Sequence, residues 1–113
     1  MITIQLVKGR SFLACKAEGH ALFDKKGQDI VCAAATILLK TAAQTLEKRP
    51  GISFSGEAPE KGRLAFEAKA DQDSAAAELE FAADFLRKGF ESLAKEFPQN
   101  VHLECKTECL LEE

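Results

Sequence analysis

Ile2-Thr3-Ile4-Gln5-Leu6-Val7-Lys8-Gly9-Arg10-Ser11-Phe12-Leu13-Ala14-Cys15-Lys16-Ala17 decides the fold. Ile2, Ile4 and Leu6 alternate with Thr3 and Gln5, so one face of an extended segment is apolar and the other polar. Lys8-Gly9-Arg10 offers a turn. Ser11, Leu13, Cys15 and Ala17 then share one face, with Phe12, Ala14 and Lys16 on the other. Two alternating runs around a short glycine turn predict an antiparallel hairpin. A sheet built from such strands has one face to cover and one to leave toward water.

The same pattern returns further along. Ile52-Ser53-Phe54-Ser55 and Leu64, Phe66, Ala68 predict a second hairpin, with Gly56 to Gly62 as its turn region around Pro59. Val101, Leu103 and Cys105 mark the apolar side of a last strand over Val101–Thr107. Between the strands lie two helices. The first is predicted to open at Asp29, whose carboxylate suits an N-cap. Its stripe is Ile30, Val31, Ala34, Ile37, Leu38, Thr41, Ala42 and Leu46, and Pro50-Gly51 ends it. The second starts at a cap of Asp73 or Ser74, with a stripe of Ala75, Leu79, Ala82, Leu86, Phe90, Leu93 and Phe97, and closes at Pro98. The order is β-β-α-β-β-α-β. Two helices cannot cover both faces of a five-stranded sheet, so the fold class is α+β. The expected architecture is a two-layer domain with a mostly antiparallel sheet and both helices on one face.

The chain has 113 residues, which fits a single domain over 1–113. At that length, burial of roughly two thirds of the unfolded surface supports a core without disulfide or metal. Lys plus Arg is 15 against 18 Asp plus Glu, a formal net charge of −3, so the basic excess of a general nucleic-acid binder is missing. No apolar run reads as a membrane span, and the N-terminus does not read as a signal peptide. A cytoplasmic protein with free thiols at Cys15, Cys32, Cys105 and Cys109 is expected.

Chemistry concentrates in Gly19-His20-Ala21 and Asp29-Ile30-Val31-Cys32-Ala33-Ala34. With Asp29 as cap, Cys32 falls in the first helical turn, where free N–H groups and the helix dipole favour a thiolate. His20, on a loop flanked by Gly19 and Gly27, could take or share the thiol proton. Thiol plus imidazole is the minimum for a nucleophilic cysteine. From residue types alone, the bland alternative stays open: Cys32 as a small helix residue and His20 as a surface histidine.

The Gly-His pair joined at this spacing to Asp-Ile-Val-Cys-Ala-Ala resembles the ribosomal-processing cysteine protease family, Prp, over essentially the whole chain. The resemblance implies a cysteine endopeptidase that removes a short N-terminal extension from a bacterial ribosomal large-subunit protein, the twenty-seventh. It implies His20 as general base and Cys32 as nucleophile, with Gly19, Asp29 and Thr36 in support. Thr36 stands where many members have serine; the hydroxyl is kept and a methyl added. Homodimers are implied as well, and no cofactor.

Mechanistically, backbone amides at the helix start, that of Cys32 included, are candidate oxyanion donors. Thr36, one turn on, either serves the site or bonds back to the Cys32 carbonyl. Asp29 caps the helix or orients His20, with Asp24 a weaker orienter. The loop from Glu18 to Gln28 is expected to be mobile without substrate. Cys15 and Cys105 read as core packing. Cys105, Cys109 and His102 form a loose ligand set without a second pair, so no metal is expected. Phe81, Phe85 and Phe90 read as core or dimer contact. The alternative function is a non-catalytic ribosome-associated module that binds a basic protein partner.

Overall fold

The computed structural model describes residues 2–19, 26–60 and 63–107; within them, the side chains of 26–29, 57–60 and 63 fall outside the description. The elements are β1 (Ile2–Lys8), β2 (Phe12–Gly19), α1 (Lys26–Glu47), β3 (Ile52–Glu60), β4 (Arg63–Ala70), α2 (Asp73–Glu96) and β5 (Val101–Thr107). The predicted order β-β-α-β-β-α-β holds. The strands form one sheet in the order β3-β4-β2-β1-β5. β1 pairs antiparallel with β2, β2 with β4 and β3 with β4, while β1 and β5 run parallel, so the sheet is mixed.

Register puts the apolar residues of neighbouring strands side by side. Leu6 lies opposite both Cys15 and Cys105, Cys15 opposite Phe66, and Leu13 opposite Ala68. A slip of one residue would turn each of these rows out to water, so the pattern itself fixes the pairing. Ile2, Ile4, Leu6, Leu13, Cys15, Phe66, Ala68 and Val101 are buried beneath the helices. The other face carries Gln5, whose side-chain amide donates to Glu104 Oε1 at 3.1 Å, and Lys16 and Glu67, which are not buried. Both helices cover one face, α1 over β3, β4 and β2 and α2 over β1, β2, β4 and β5.

α2 follows its predicted stripe closely: Ala75, Leu79, Ala83, Leu86, Phe90 and Leu93 are buried, with Ala82 only partly so. Its cap is Gln72, not Asp73 or Ser74; the Gln72 carbonyl accepts from the Ala75 and Ala76 amides, and no side chain caps the end. α1 departs further. Its buried row is Val31, Ala35, Leu39, Ala42 and Leu46, while Ile30 is 56% and Ile37 63% exposed. Residues 30–39 are Ile-Val-Cys-Ala-Ala-Ala-Thr-Ile-Leu-Leu, without a charge to mark the wet side. Two apolar rows compete there, and only packing chooses between them.

Contrary to expectation, Ile30–Glu47 is apolar and long enough to pass for a membrane span. In this fold its buried row packs on the sheet. β3 also differs, running nine residues to Glu60 where the sequence predicted a turn from Gly56. Gly56 and Pro59 are turn signals in isolation, but an edge strand tolerates both. Gly51 sits at φ +80°, the left-handed turn that glycine permits between α1 and β3.

Candidate active site

α1 begins at Lys26, so Asp29 is its fourth residue and Cys32 stands in the second turn. Two expectations change with that. Asp29 is not the N-cap, although an acidic residue in a first turn still complements the dipole. The Cys32 amide is not among the first four, residues 26–29, that lack an intrahelical acceptor, so it is not an oxyanion donor in this helix. The dipole's influence also fades beyond the first turn, and Cys32 stands in the second.

Helical geometry places Cys32 on a definite flank. Each residue advances the side chain by about 100°. The sheet-facing row is Val31, Ala35, Leu39, Ala42 and Leu46. The α2-facing side is marked by Leu38, whose Cδ1 lies 3.1 Å from where a Cβ on Gly89 would stand. Cys32, Thr36 and Ala43 fall on the opposite side from Leu38. All three are half-buried. Because α1 lies over β3 and reaches β4 and β2, while α2 lies over β4, β2, β1 and β5, that flank overlooks the β3 edge of the sheet.

Cys32 and Thr36 thus share a flank one turn apart. Thr45 bonds its hydroxyl back to the Thr41 carbonyl at 2.8 Å, but among the described residues Thr36 makes no such bond to Cys32. The back-bonding alternative for Thr36 is not realised, and its hydroxyl is available to a ligand. Gly19 is the last residue of β2, opposite Ile2, and leads directly into His20. His20 and Asp24 lie outside the described residues, as do the central part of the loop expected to move and the Asp29 side chain.

The other described cysteines divide. Cys15 is buried in β2, and burial pushes its thiol from an ordinary value near 9.0 up to about 12, with Cys105 adding a smaller push. It is a neutral packing group. Cys105 was expected in the core and is exposed. Its side faces the helix layer, opposite Leu6, but β5 is an edge strand with a neighbour on one side only. Partial burial raises the Cys105 thiol; Arg87 lowers it and Glu91 raises it. His102 falls on the other face of β5 and pairs with Glu104 Oε2 at 3.0 Å, so the loose ligand set of His102 and Cys105 is split across the sheet. Cys109 lies outside the described residues.

Phe90 is fully buried, whereas Phe81 is 72% and Phe85 55% exposed. The two exposed rings border an open groove between α1 and α2 of about 540 Å³, lined by Thr41, Ala42, Thr45, Leu46, Arg49 and Ala77 among others. The sequence reading ended β3 before Gly56 and so missed its far half, residues 56–60. Its signal was the period-two pattern running on through Gly56.

With that geometry in place, comparison with known proteins is decisive. The family described as cysteine protease Prp matches residues 1–102. The chain belongs to this family. A search of curated proteins returns no match. Among solved structures, the fold is similar to that of SMU.848 from Streptococcus mutans, with TM-score 0.75 and 21% identity over 96% of each chain. It is similar also to the essential ribosomal processing protease Prp from S. aureus in complex with a substrate peptide, with TM-score 0.71 and 19% identity, covering 94% of this chain and 100% of that one. A second S. aureus Prp structure, with a covalently linked product peptide, matches with TM-score 0.69 and 20% identity over the same shares. At these identities the structural likeness speaks for the fold. Membership of the Prp family makes the chain a member of a cysteine protease family.

Proposed function

We propose that this protein is the endopeptidase that removes the N-terminal extension of the twenty-seventh ribosomal large-subunit protein, with Cys32 as nucleophile and His20 as general base. The carrying observation is the contrast among the described thiols. Cys15 is sealed in the sheet and Cys105 is exposed on the far edge strand, while Cys32 stands half-buried on a helix flank beside a Thr36 hydroxyl with no described partner.

In this reading His20 takes the Cys32 proton and the thiolate attacks the scissile carbonyl. The C–N bond breaks, His20 returns the proton to the departing amine, and a thioester remains on Cys32. Water, deprotonated by His20, then hydrolyses it and restores the thiol. Because Cys32 lies beyond the first turn, activation rests more on His20 than on the helix end. Gly19 sets the entry to the histidine, Asp29 supplies negative charge to the first turn, and Thr36 offers a hydroxyl to substrate. The enzyme works in the cytoplasm, needs no cofactor, meets a basic ribosomal protein rather than RNA, and forms homodimers. The exposed Phe81 and Phe85 beside their groove support the last point; Phe85→Glu should then raise the monomer fraction in sedimentation.

The test is cleavage of a peptide spanning the extension and the first mature residues. Cys32→Ala should lower kcat/KM by at least ~10³-fold, as removal of a nucleophile does, with an unchanged circular dichroism spectrum. Retained cleavage overturns Cys32 as the nucleophile, and a peptide left uncut by wild type overturns the protease reading and favours a binding module.

A further inference from the structure

β3 closes one side of the sheet, and its pairing with β4 shows which of its backbone groups are left unpaired among the described residues. The Asp71 amide donates to the Gly51 carbonyl at 2.7 Å. These residues stand opposite one another in the register that sets Ile52 against Ala70. In an antiparallel ladder hydrogen-bonded and non-bonded pairs alternate. Ser53–Lys69 and Ser55–Glu67 are therefore bonded pairs, and Ile52, Phe54 and Gly56 turn their N–H and C=O groups away from β4. The Ala70 amide, donating to the Ser11 carbonyl at 2.9 Å on the β2 side, agrees with this phase.

Exposed edges are usually blunted by charge, proline or a bulge. The other edge, β5, carries His102, Glu104 and Lys106. Ile52-Ser53-Phe54-Ser55-Gly56 carries neither charge nor proline. Only beyond it, between Glu57 and Glu60, does the register shift, with Pro59 inside the irregular stretch. A five-residue run is thus left as a template for an extended backbone, and it ends at a bend of the kind that re-aims chains beside active sites.

The thiol flank lies over the same side. α1 and β3 are joined by a short turn at Gly51, so β3 runs back beneath α1 toward its start. Cys32 is fifteen residues before Glu47, about 22 Å along the axis at 1.5 Å per residue. At about 3.3 Å per strand residue, that is level with the irregular stretch. The uncharged edge leads up to the position of Cys32, which with Thr36 lies half-buried on the helix flank above it.

We infer that the substrate peptide docks as an added strand on β3, pairing with the outward N–H and C=O groups of Ile52, Phe54 and Gly56 and leaving the edge at the bend to reach Cys32. This rests on the protease reading. Strand addition reads backbone for affinity and alternate side chains for choice, which suits an enzyme whose substrate must be an unfolded terminal segment. A second copy pairing through the same edge would not explain why the run ends level with the thiol.

Amide hydrogen exchange resolved by NMR tests this on Cys32→Ala protein mixed with the extension-spanning peptide. The amides of Ile52, Phe54 and Gly56 should slow by about 10-fold or more on binding, while those of Ser53 and Ser55, already in the ladder, change little. Peptide that wild type cuts and Cys32→Ala binds, with those three amides unaltered, overturns the inference and leaves the protease reading intact. Protection that grows with protein concentration in the absence of peptide assigns the edge to a second copy and also overturns it. Peptides N-methylated one residue at a time give a check independent of the protein's folding. Cleavage should fall at every second position along one side of the scissile bond. Uniform tolerance contradicts strand addition. A peptide left uncut by wild type contradicts the protease reading itself, and this inference with it.

Discussion

The half of the molecule beneath α2 and the half beneath α1 use similar residues to opposite ends. α2 lies over β1, β2, β4 and β5 with Leu79, Leu86 and Phe90 buried, and of the two described thiols in that half Cys15 is sealed as packing while Cys105 is exposed on the β5 edge. The polar face of α2 carries charges that mark it clearly, Lys8 reaching Asp84 at 3.5 Å and Arg49 reaching Glu78 at 3.0 Å. Under α1 the sheet is covered by a thin row of Val31, Ala35 and Leu39, and the helix keeps apolar residues on its outer sides as well. α2 also leaves Phe81 and Phe85 exposed, so what sets α1 apart is the uncharged run over residues 30–39 rather than exposed apolar side chains as such. The thiol on that half stands at the rim. Burial sets Cys15 apart as packing, while Cys32 and the more exposed Cys105 differ by their place in the fold, a helix flank against an edge strand.

The largest effect that would sharpen this contrast is on the α2 side. Phe90→Ala removes a fully buried ring and should cost about 3–5 kcal/mol, read as a lowered urea midpoint. A loss under 1 kcal/mol would mean that the α2 half is not the stability core. Next comes alkaline stability. Cys15 ionises near 9.0 when unfolded but only at about 12 when folded. The unfolded chain therefore loses its proton first, and stability present below pH 9 should decline progressively as pH rises toward 12. Cys15→Ala should flatten that decline; an identical slope in both proteins would show Cys15 not to be sealed.

At the joint between the halves, a side chain on Gly89 would press on Leu38. Gly89→Leu should destabilise by about 1–3 kcal/mol through overpacking. A neutral result would mean that α1 can shift freely against α2. The smallest effect concerns Cys105. Being exposed, it should tolerate Cys105→Ser within about 0.5 kcal/mol, and thermal melts of the two proteins should nearly overlay.

Much of this fold is readable from sequence because strand parity is strict. Ile4, Leu13 and Phe66 each announce their face, and the register follows from them. Where the reading failed, a property of the assembled sheet was needed. Cys105 has the inward parity but lies on an edge strand, and no single strand reveals its place in the order. β3 was cut short because Gly56 and Pro59 signal turns unless an edge accommodates them. The phase of α1 was ambiguous because alanine and isoleucine surround it on every side. At the site, Cys32 was singled out by resemblance and by its helix, yet the helix starts three residues earlier than Asp29 promised. The flank Cys32 shares with Thr36 emerges only once α2 takes the other side.

The central claim is that Cys32 alone among the thiols attacks substrate. A peptidyl chloromethyl ketone built on the extension sequence tests it directly, since a thiolate held at the site displaces chloride and forms a stable thioether. Peptide mapping by mass spectrometry should find the adduct on Cys32 within minutes, with Cys15 unmodified and Cys105 labelled no faster than a free thiol. An adduct that forms first on Cys105, or none on Cys32 while the peptide is being cleaved, would contradict the account.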